Sequence, residues 1–282
     1  MNADGRDGWN GFWFAEEPWR NIAAARILLA ATALWVVLSR FDLPSVLQFP
    51  PEMLTYASPA VRLRFAIVFP IAVERFLYAL LHLSLLATLF AIRIRICAFA
   101  SGVLLYHFQP FETLIWTSNP YLRGLTIPAL GLFILSFFPE IDLRKAAAVP
   151  RWPLALIQVL VAELYFFAGY SKLITSGFQW ASHENIRRWL LLLEQAYGPT
   201  NHPWGYWAAS VPLMPEAIGW FGIAFELLFP VTLLWRRTRI VFIPLAVMFH
   251  LANAVMFHIV LQELSILLVF VDWQAVTDRM RR

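Results

Sequence analysis

The sequence predicts an all-α protein: a polytopic transmembrane helix bundle of about eight crossings, with the last pair short or re-entrant. Three observations carry this. Of 282 residues, 60% are hydrophobic and only 14% charged, where a soluble domain carries about 25% charged residues; mean hydropathy is +0.63. The apolar residues fall into runs close to the ~20 that a helix needs to cross a bilayer. Lys and Arg gather in the short breaks between runs, as they do in cytoplasmic loops.

Residues 1–20 read as an interfacial segment. Trp9, Phe12, Trp13, Phe14 and Trp19 sit beside Glu16 and Glu17, a mixture suited to lying on a membrane surface. There is no basic head leading into an apolar core, so no cleavable signal is expected. Residues 21–273 form the transmembrane domain. Its spans are Ile22–Ser39, Ala72–Ile92, Ile96–Trp116, Leu122–Phe138, Pro153–Leu173 and Ile218–Trp235. The last apolar region, Ile240–Val271, is too long for one span and short of two. Two short helices, or one helix and a re-entrant segment, would fit it. Residues 274–282 form a basic cytoplasmic tail.

Charge sets the orientation. Arg93 and Arg95, Arg144, Lys145 and Arg151, then Arg236, Arg237 and Arg239, and finally Arg279, Arg281 and Arg282 fall at alternate breaks. Both termini are therefore placed in the cytoplasm. Arg187 and Arg188 are the exception on the other side. The two long external segments, Phe41–Ile71 and Ile174–Ala217, are rich in Pro and Trp and are read as caps over the bundle. The net charge of +4 comes from these short loops, so it is read as topology and not as a nucleic-acid surface. The single cysteine, Cys97, excludes an internal disulfide and any multi-cysteine metal site. No HExxH metal motif, phosphate-cradling glycine loop or GxSxG elbow occurs, and no metal is expected.

The candidate site rests on ionisable residues within spans. A charged group at the bilayer centre costs about 2.5–3.5 kcal/mol on insertion scales, and such residues mark pathways or sites. Lys172 ends span five in the stretch Tyr165-Phe166-Phe167-Ala168-Gly169-Tyr170-Ser171-Lys172. A lysine there can simply snorkel to the membrane edge. Gly169 one turn before it, and Tyr165 one turn before that, give the same face a thin spot and a polar group. In span six Gly219, Gly222 and Glu226 share a helical face, where small residues let another helix approach. Glu226 is then buried and needs a proton or a cation. His250 and Asn253 share a face of the last region; a lone buried histidine is more often a satisfied core residue. Glu74 and His82 share a face of span two and read as an interhelical network. His107 and Glu112 read as solvent-exposed, and Glu163 as pairing with another helix.

These residues form ordered motifs: Tyr165-Phe166-x-Ala168-Gly169-x-x-Lys172-Leu173 followed by Trp180, then Glu226 before a basic turn, then Phe249-His250-x-x-Asn253-x-x-x-Phe257, with Tyr121-Leu122 opening span four. In order and spacing they resemble the membrane domain of vitamin K-dependent γ-glutamyl carboxylase and its bacterial relatives, the horizontally transferred transmembrane (HTTM) domain family. The resemblance covers about residues 70–270. It implies a lysine base, at Lys172, acting on a quinol resembling vitamin K hydroquinone, with Glu226, His250, Asn253, Trp180 and Asn119 as binding residues, in a carboxylase- or epoxidase-like lyase of the bacterial cell membrane. Two departures stand out. Asn119, followed by Pro120, occupies the place of a functional histidine of the carboxylase. The chain also continues only about ten residues past its last span, without the large region that docks peptide substrates.

Two readings follow. One is a quinol- or lipid-dependent enzyme acting on a peptide or small substrate. The other is a non-catalytic membrane subunit that binds lipid, quinone or an accessory protein, as in peptide or toxin maturation. A transporter is disfavoured, because no repeat halves or symmetric helix breaks are visible.

Overall fold

The apolar runs are helical, and the breaks between them fall at prolines and at residues with left-handed backbone. A computed structural model describes residues 9–40, 69–115, 125–138, 148–197, 203–259 and 262–281. Among these, five helical stretches are long and apolar enough to cross a membrane: Trp19–Ser39, Ile71–Leu89, Trp152–Ala181, Met214–Leu234 and Arg236–Met256. They fall on expected spans one, two, five and six and on the start of the last region. The chain is an integral membrane protein with a helical, polytopic architecture. It divides into two units, residues 1–157 with 271–282, and residues 158–270.

In the first unit, helix α1 (Trp9–Phe14) leads through strand β1 (Glu16–Pro18) into α2 (Trp19–Arg40). Helices α3 (Ile71–Leu89), α4 (Ile94–Ile115) and α5 (Thr126–Ser136) follow, then strand β2 (Ala148–Pro150) and the start of α6 (Trp152–Ser176). Pro70 precedes α3 with φ −54° and ψ 146°, the extended backbone that cannot belong to the helix. Helix α2 packs on α3 and α5, and α4 packs on the same two. The turn between α3 and α4 uses left-handed backbone at Ala91 (φ 62°) and Arg93 (φ 42°). The sequence did not suggest strands, yet β1 and β2 pair antiparallel, Glu16 opposite Pro150 and Pro18 opposite Ala148. The residue before a proline is biased to extended backbone, and both strands end in one. Around them Glu17 accepts from Asn21 at 2.6 Å and lies 3.4 Å from the Arg151 guanidinium. Asn21 in turn accepts from the backbone N–H of Gln274 at 3.2 Å, in α12 (Trp273–Met280). Both ends of the helical region are thus tied together at one end of this unit.

One polar expectation holds in part here and another fails. Glu74 joins the expected interhelical network, and His82 stays within its own helix. The buried Glu74 carboxylate accepts from the Phe69 N–H at 2.9 Å and meets His107 Nε2 at 2.9 Å, while His82 Nδ1 lies against the Tyr78 carbonyl. His107 is accordingly part of the interior of the unit and not a solvent-facing group. The shared face of Glu74 and His82 pointed to an interhelical network, and the packed neighbour α4 supplies the partner of Glu74. The side chain of Glu112 and all of Tyr121 and Asn119 lie outside the described residues.

In the second unit, the rest of α6 runs into a 3₁₀ turn (Gly177–Ala181), α7 (His183–Tyr197) and α8 (Trp204–Ser210). Ile186 and Leu190 of α7 pack against Ala208 and Ala209 of α8, so the described part of the expected external cap is a folded helical element. Helix α9 (Met214–Leu228) starts after Leu213, which has φ 62°, and carries Pro in its first turn, where the ring is tolerated. Pro230 starts the single turn α10 (Val231–Leu234). A 3₁₀ turn (Arg236–Thr238) leads to α11 (Arg239–Met256), and Gln262–Phe270 is a further 3₁₀ helix. The last apolar region is therefore one long helix followed by a 3₁₀ segment. At ~2.0 Å per residue that segment is shorter than the ~30 Å hydrocarbon layer. Tyr165, Phe225, Phe229, Phe242, Phe249 and Phe270 build an aromatic core. Glu163 is exposed on α6, contrary to the expected interhelical pairing.

Candidate functional site

On α6, Tyr165, Gly169 and Lys172 recur at helical spacing and share one face. The missing side chain at Gly169 is what lets α9 close on it. A Cβ there would meet Glu226 Cβ at 2.9 Å and the Leu227 backbone N at 3.2 Å. The close approach delivers Glu226 to the lysine one turn away. Lys172 Nζ lies 2.5 Å from each Glu226 carboxylate oxygen, a two-point pairing of ammonium with carboxylate.

The ammonium is also held over the Trp180 ring, 4.6 Å from its centroid, a cation–π contact. Trp180 belongs to the 3₁₀ turn after α6, and its carbonyl accepts from Asn185 Nδ2 at 2.6 Å. Gly219 fixes the same corner, because a Cβ there would come within 2.8 Å of Ala181 Cα. The pair is not sealed evenly. The Glu226 side chain is 6% exposed and that of Lys172 22%, so the lysine is the more accessible partner of the pair.

Two turns before Lys172, the Tyr165 hydroxyl and His250 Nε2 are hydrogen-bonded. The Tyr165 ring stacks on Phe229 with centroids 4.1 Å apart. His250 is buried, and its Nδ1 has no hydrogen-bond partner among the described residues. The face of α6 therefore carries two couples capable of sharing a proton, Lys172–Glu226 and Tyr165–His250, with Gly169 between them.

Of the residues singled out in the sequence, Lys172, Glu226 and Trp180 come into mutual contact around the lysine. His250 joins through Tyr165 and not through the lysine. Asn253 is half-buried but directed elsewhere: its amide donates to the Phe249 carbonyl at 3.0 Å, within its own helix. Asn119 lies outside the described residues. Among the described residues no group of three His, Cys, Asp or Glu side chains could hold a metal ion.

A second carboxylate site was missed. Glu194 of α7, with a side chain 0% exposed, lies 3.1 Å from His258 Nε2 and accepts from the Gly205 N–H at 3.2 Å. A signal was present. Glu194 stands on the same face of α7 as Ile186 and Leu190, eight and four residues before it, so an acid occupied a position otherwise used for core residues.

Residues 20–272 match the family described as the HTTM domain. No curated protein matches the chain, and no solved structure does.

Proposed function

The chain belongs to the HTTM family, and from that premise we propose that it binds an acidic hydroxyl compound of the membrane, a quinol or a comparable lipid, at Lys172 and withdraws its proton. The single observation that carries this reading is the uneven exposure of the Lys172–Glu226 pair. A partly exposed lysine backed by a buried carboxylate can act as a relay. A ligand O–H gives its proton to the Lys172 nitrogen as that nitrogen passes one to Glu226. The O–H bond of the ligand breaks, a carboxylic O–H forms, and the ligand anion is left against the ammonium. General bases act through positioned proton transfer of this kind.

The surroundings suit a planar ring. Trp180 flanks the amine, and Phe225, Phe249 and Tyr165 stand on the neighbouring faces. Lys172, Glu226 and Trp180 would hold the quinol, which when bound supplies an ionisable oxygen and reducing power. Tyr165 and His250 form the deeper wall. Asn253 supports that wall by keeping the last turn of α11 closed: its own carbonyl accepts from the N–H groups of Phe257 and Ile259. A peptide or small substrate, or an accessory protein, would meet the site from the same side as the lysine.

The alternative is a non-catalytic membrane subunit that binds lipid, quinone or a partner. It is favoured by the fact that each carboxylate oxygen of Glu226 already has the lysine as partner. Quinol binding, followed through Trp180 fluorescence, and proton transfer separate the two. Lys172→Arg keeps the charge pair but cannot serve as a base, since arginine stays protonated. Loss of turnover with binding retained supports the relay; full turnover would leave only a binding role.

An eight-crossing topology with cytoplasmic termini is part of the same reading. It is supported by the Asn21–Gln274 contact, in which residues near the two ends of the helical region meet. In a Cys97→Ser background, Lys145→Cys, Arg237→Cys and Arg281→Cys should be labelled only after the membrane is permeabilised. Labelling of all three in intact cells would invert the arrangement.

A further inference from the structure

The first unit holds a buried cation with no counter-charge among the described residues. Arg26 lies in α2, is 7% exposed, and its Nε and Nη1 are buried without a hydrogen-bond partner among the described residues. Unpaired ionised groups in protein interiors are costly, and arginine cannot shed its charge. Within a transmembrane helix such a residue marks a site by default.

A second orphan stands at the same level. Thr88 of α3 is 0% exposed, and its hydroxyl also has no partner among the described residues. The relative heights follow from one contact. The Tyr78 hydroxyl donates to the Val37 carbonyl at 3.3 Å, which sets the register of α2 against α3. The chain enters α2 at the end tied to α12, and the α3–α4 turn joins α3 to α4 at the same end as the close of α5: Arg95 Nε donates to the Ser136 carbonyl at 3.4 Å. Along α2, Leu29 is level with Gly131, near that end, and Val37 with Tyr78, far from it, so α2 and α3 run antiparallel. From Val37 back to Arg26 is about 16 Å and from Tyr78 on to Thr88 about 15 Å at the usual ~1.5 Å rise. Arg26 also lies about three turns from Val37 and so returns to the same face of α2. One turn further along α2, Leu29 packs against Gly131 of α5, whose Cβ would lie 2.7 Å from Leu29 Cδ1. The guanidinium therefore faces the interior that α2, α3 and α5 share.

We infer that Arg26 and Thr88 form an anion site for a phosphate group. The planar guanidinium offers several N–H donors matched to tetrahedral oxyanions, and the threonine hydroxyl adds one more. Arg93 and Arg95, at the end of the unit where this level lies, supply an approach potential of the right sign. A phosphate can arrive here as the headgroup of an anionic phospholipid or as the free ion, and the chemistry of recognition is the same. This site is separate from the lysine face of the second unit, and its test does not depend on that reading.

The test uses the full-length protein in neutral detergent. Native mass spectrometry is run with phosphatidylglycerol and with phosphatidylcholine, and thermal unfolding is followed with and without inorganic phosphate. The wild type should retain phosphatidylglycerol with about tenfold preference, a difference of about 1.4 kcal/mol, or be stabilised by inorganic phosphate if the free ion is the ligand. Arg26→Leu should abolish the preference and any stabilisation by phosphate, and without anions it should melt no lower than the wild type, because it removes an uncompensated charge. Thr88→Val should weaken the preference a few-fold. Should Arg26→Leu fail to fold, Arg26→Gln and Thr88→Val carry the same comparison. A wild type indifferent to both anions, or an Arg26→Leu protein that keeps the preference, overturns the site.

Discussion

Two carboxylates of the second unit are seated by the same device and left in different states. Glu226 is reached across Gly169 and Glu194 across Gly205, where a Cβ would come within 2.5 Å of the carboxylate and 2.9 Å of the Met256 carbonyl oxygen. Each meets a cation-forming side chain, Lys172 in one case and His258 in the other. At Glu226 both oxygens are engaged by a half-exposed lysine. At Glu194 one oxygen takes both donors, and the other, Oε1, is buried without a partner among the described residues. The lysine stands on a long regular helix, whereas His258 sits just past the end of α11 with φ 54°, a left-handed conformation uncommon outside glycine. The comparison separates an accessible pair, able to exchange protons with a visitor, from a clasp that holds the α7–α8 cap to the end of α11.

The largest expected effect breaks the accessible pair. Lys172→Met strands a buried carboxylate and should cost about 3–5 kcal/mol, read as a fall in unfolding midpoint, with loss of quinol binding. Adding Glu226→Gln should recover much of the stability and none of the binding. If the double variant regains binding, the pair is structural and the comparison collapses. Gly169→Leu tests the seat itself. Overpacking typically costs about 1–3 kcal/mol, and the displaced Glu226 should weaken ligand binding while the α7–α8 cap stays protected in hydrogen exchange.

The clasp should answer differently. In His258→Ala, Glu194 loses one of its two donors, and about 1–3 kcal/mol is the expected cost of leaving a buried polar group so exposed to desolvation. Binding at Lys172 should be unchanged while amides of α7 and α8 exchange faster. A parallel loss of quinol binding would show that the two carboxylates are one system. The smallest effect is expected for Tyr165→Phe, which deletes one hydrogen bond worth about 0.5–1.5 kcal/mol from the wall behind the lysine. A large fall in turnover with little change in stability would move Tyr165 and His250 from the wall into the proton path.

The helical, membrane-spanning character was legible because apolar length is a property of single segments. The same holds for the Lys172 face, whose Tyr165, Gly169 and Lys172 follow from one helix. The partner of Glu226 was half-legible: burial demanded a cation, but which of the spans supplied it depends on packing. Glu74 is a similar case: its buried face implied an interhelical partner, and only packing shows that His107 of the neighbouring helix supplies it. Asn253 looked like a pocket residue on phase alone and instead binds its own helix, a choice that turns on one side-chain rotation. The β1–β2 pair was illegible because each strand is three residues long and gains meaning only when its distant partner is present.

That pair also sets a schedule for making the molecule. Glu17 cannot meet Arg151 until α2 to α5 have been threaded into the membrane, and Asn21 cannot meet Asp272, 251 residues later, until nearly the whole chain has left the ribosome. At about 5–20 residues per second the interval is on the order of ten to fifty seconds. During that wait the nascent chain carries an unmatched acid and an open strand edge at the membrane surface, where a chaperone or the insertion machinery has its opportunity to engage it.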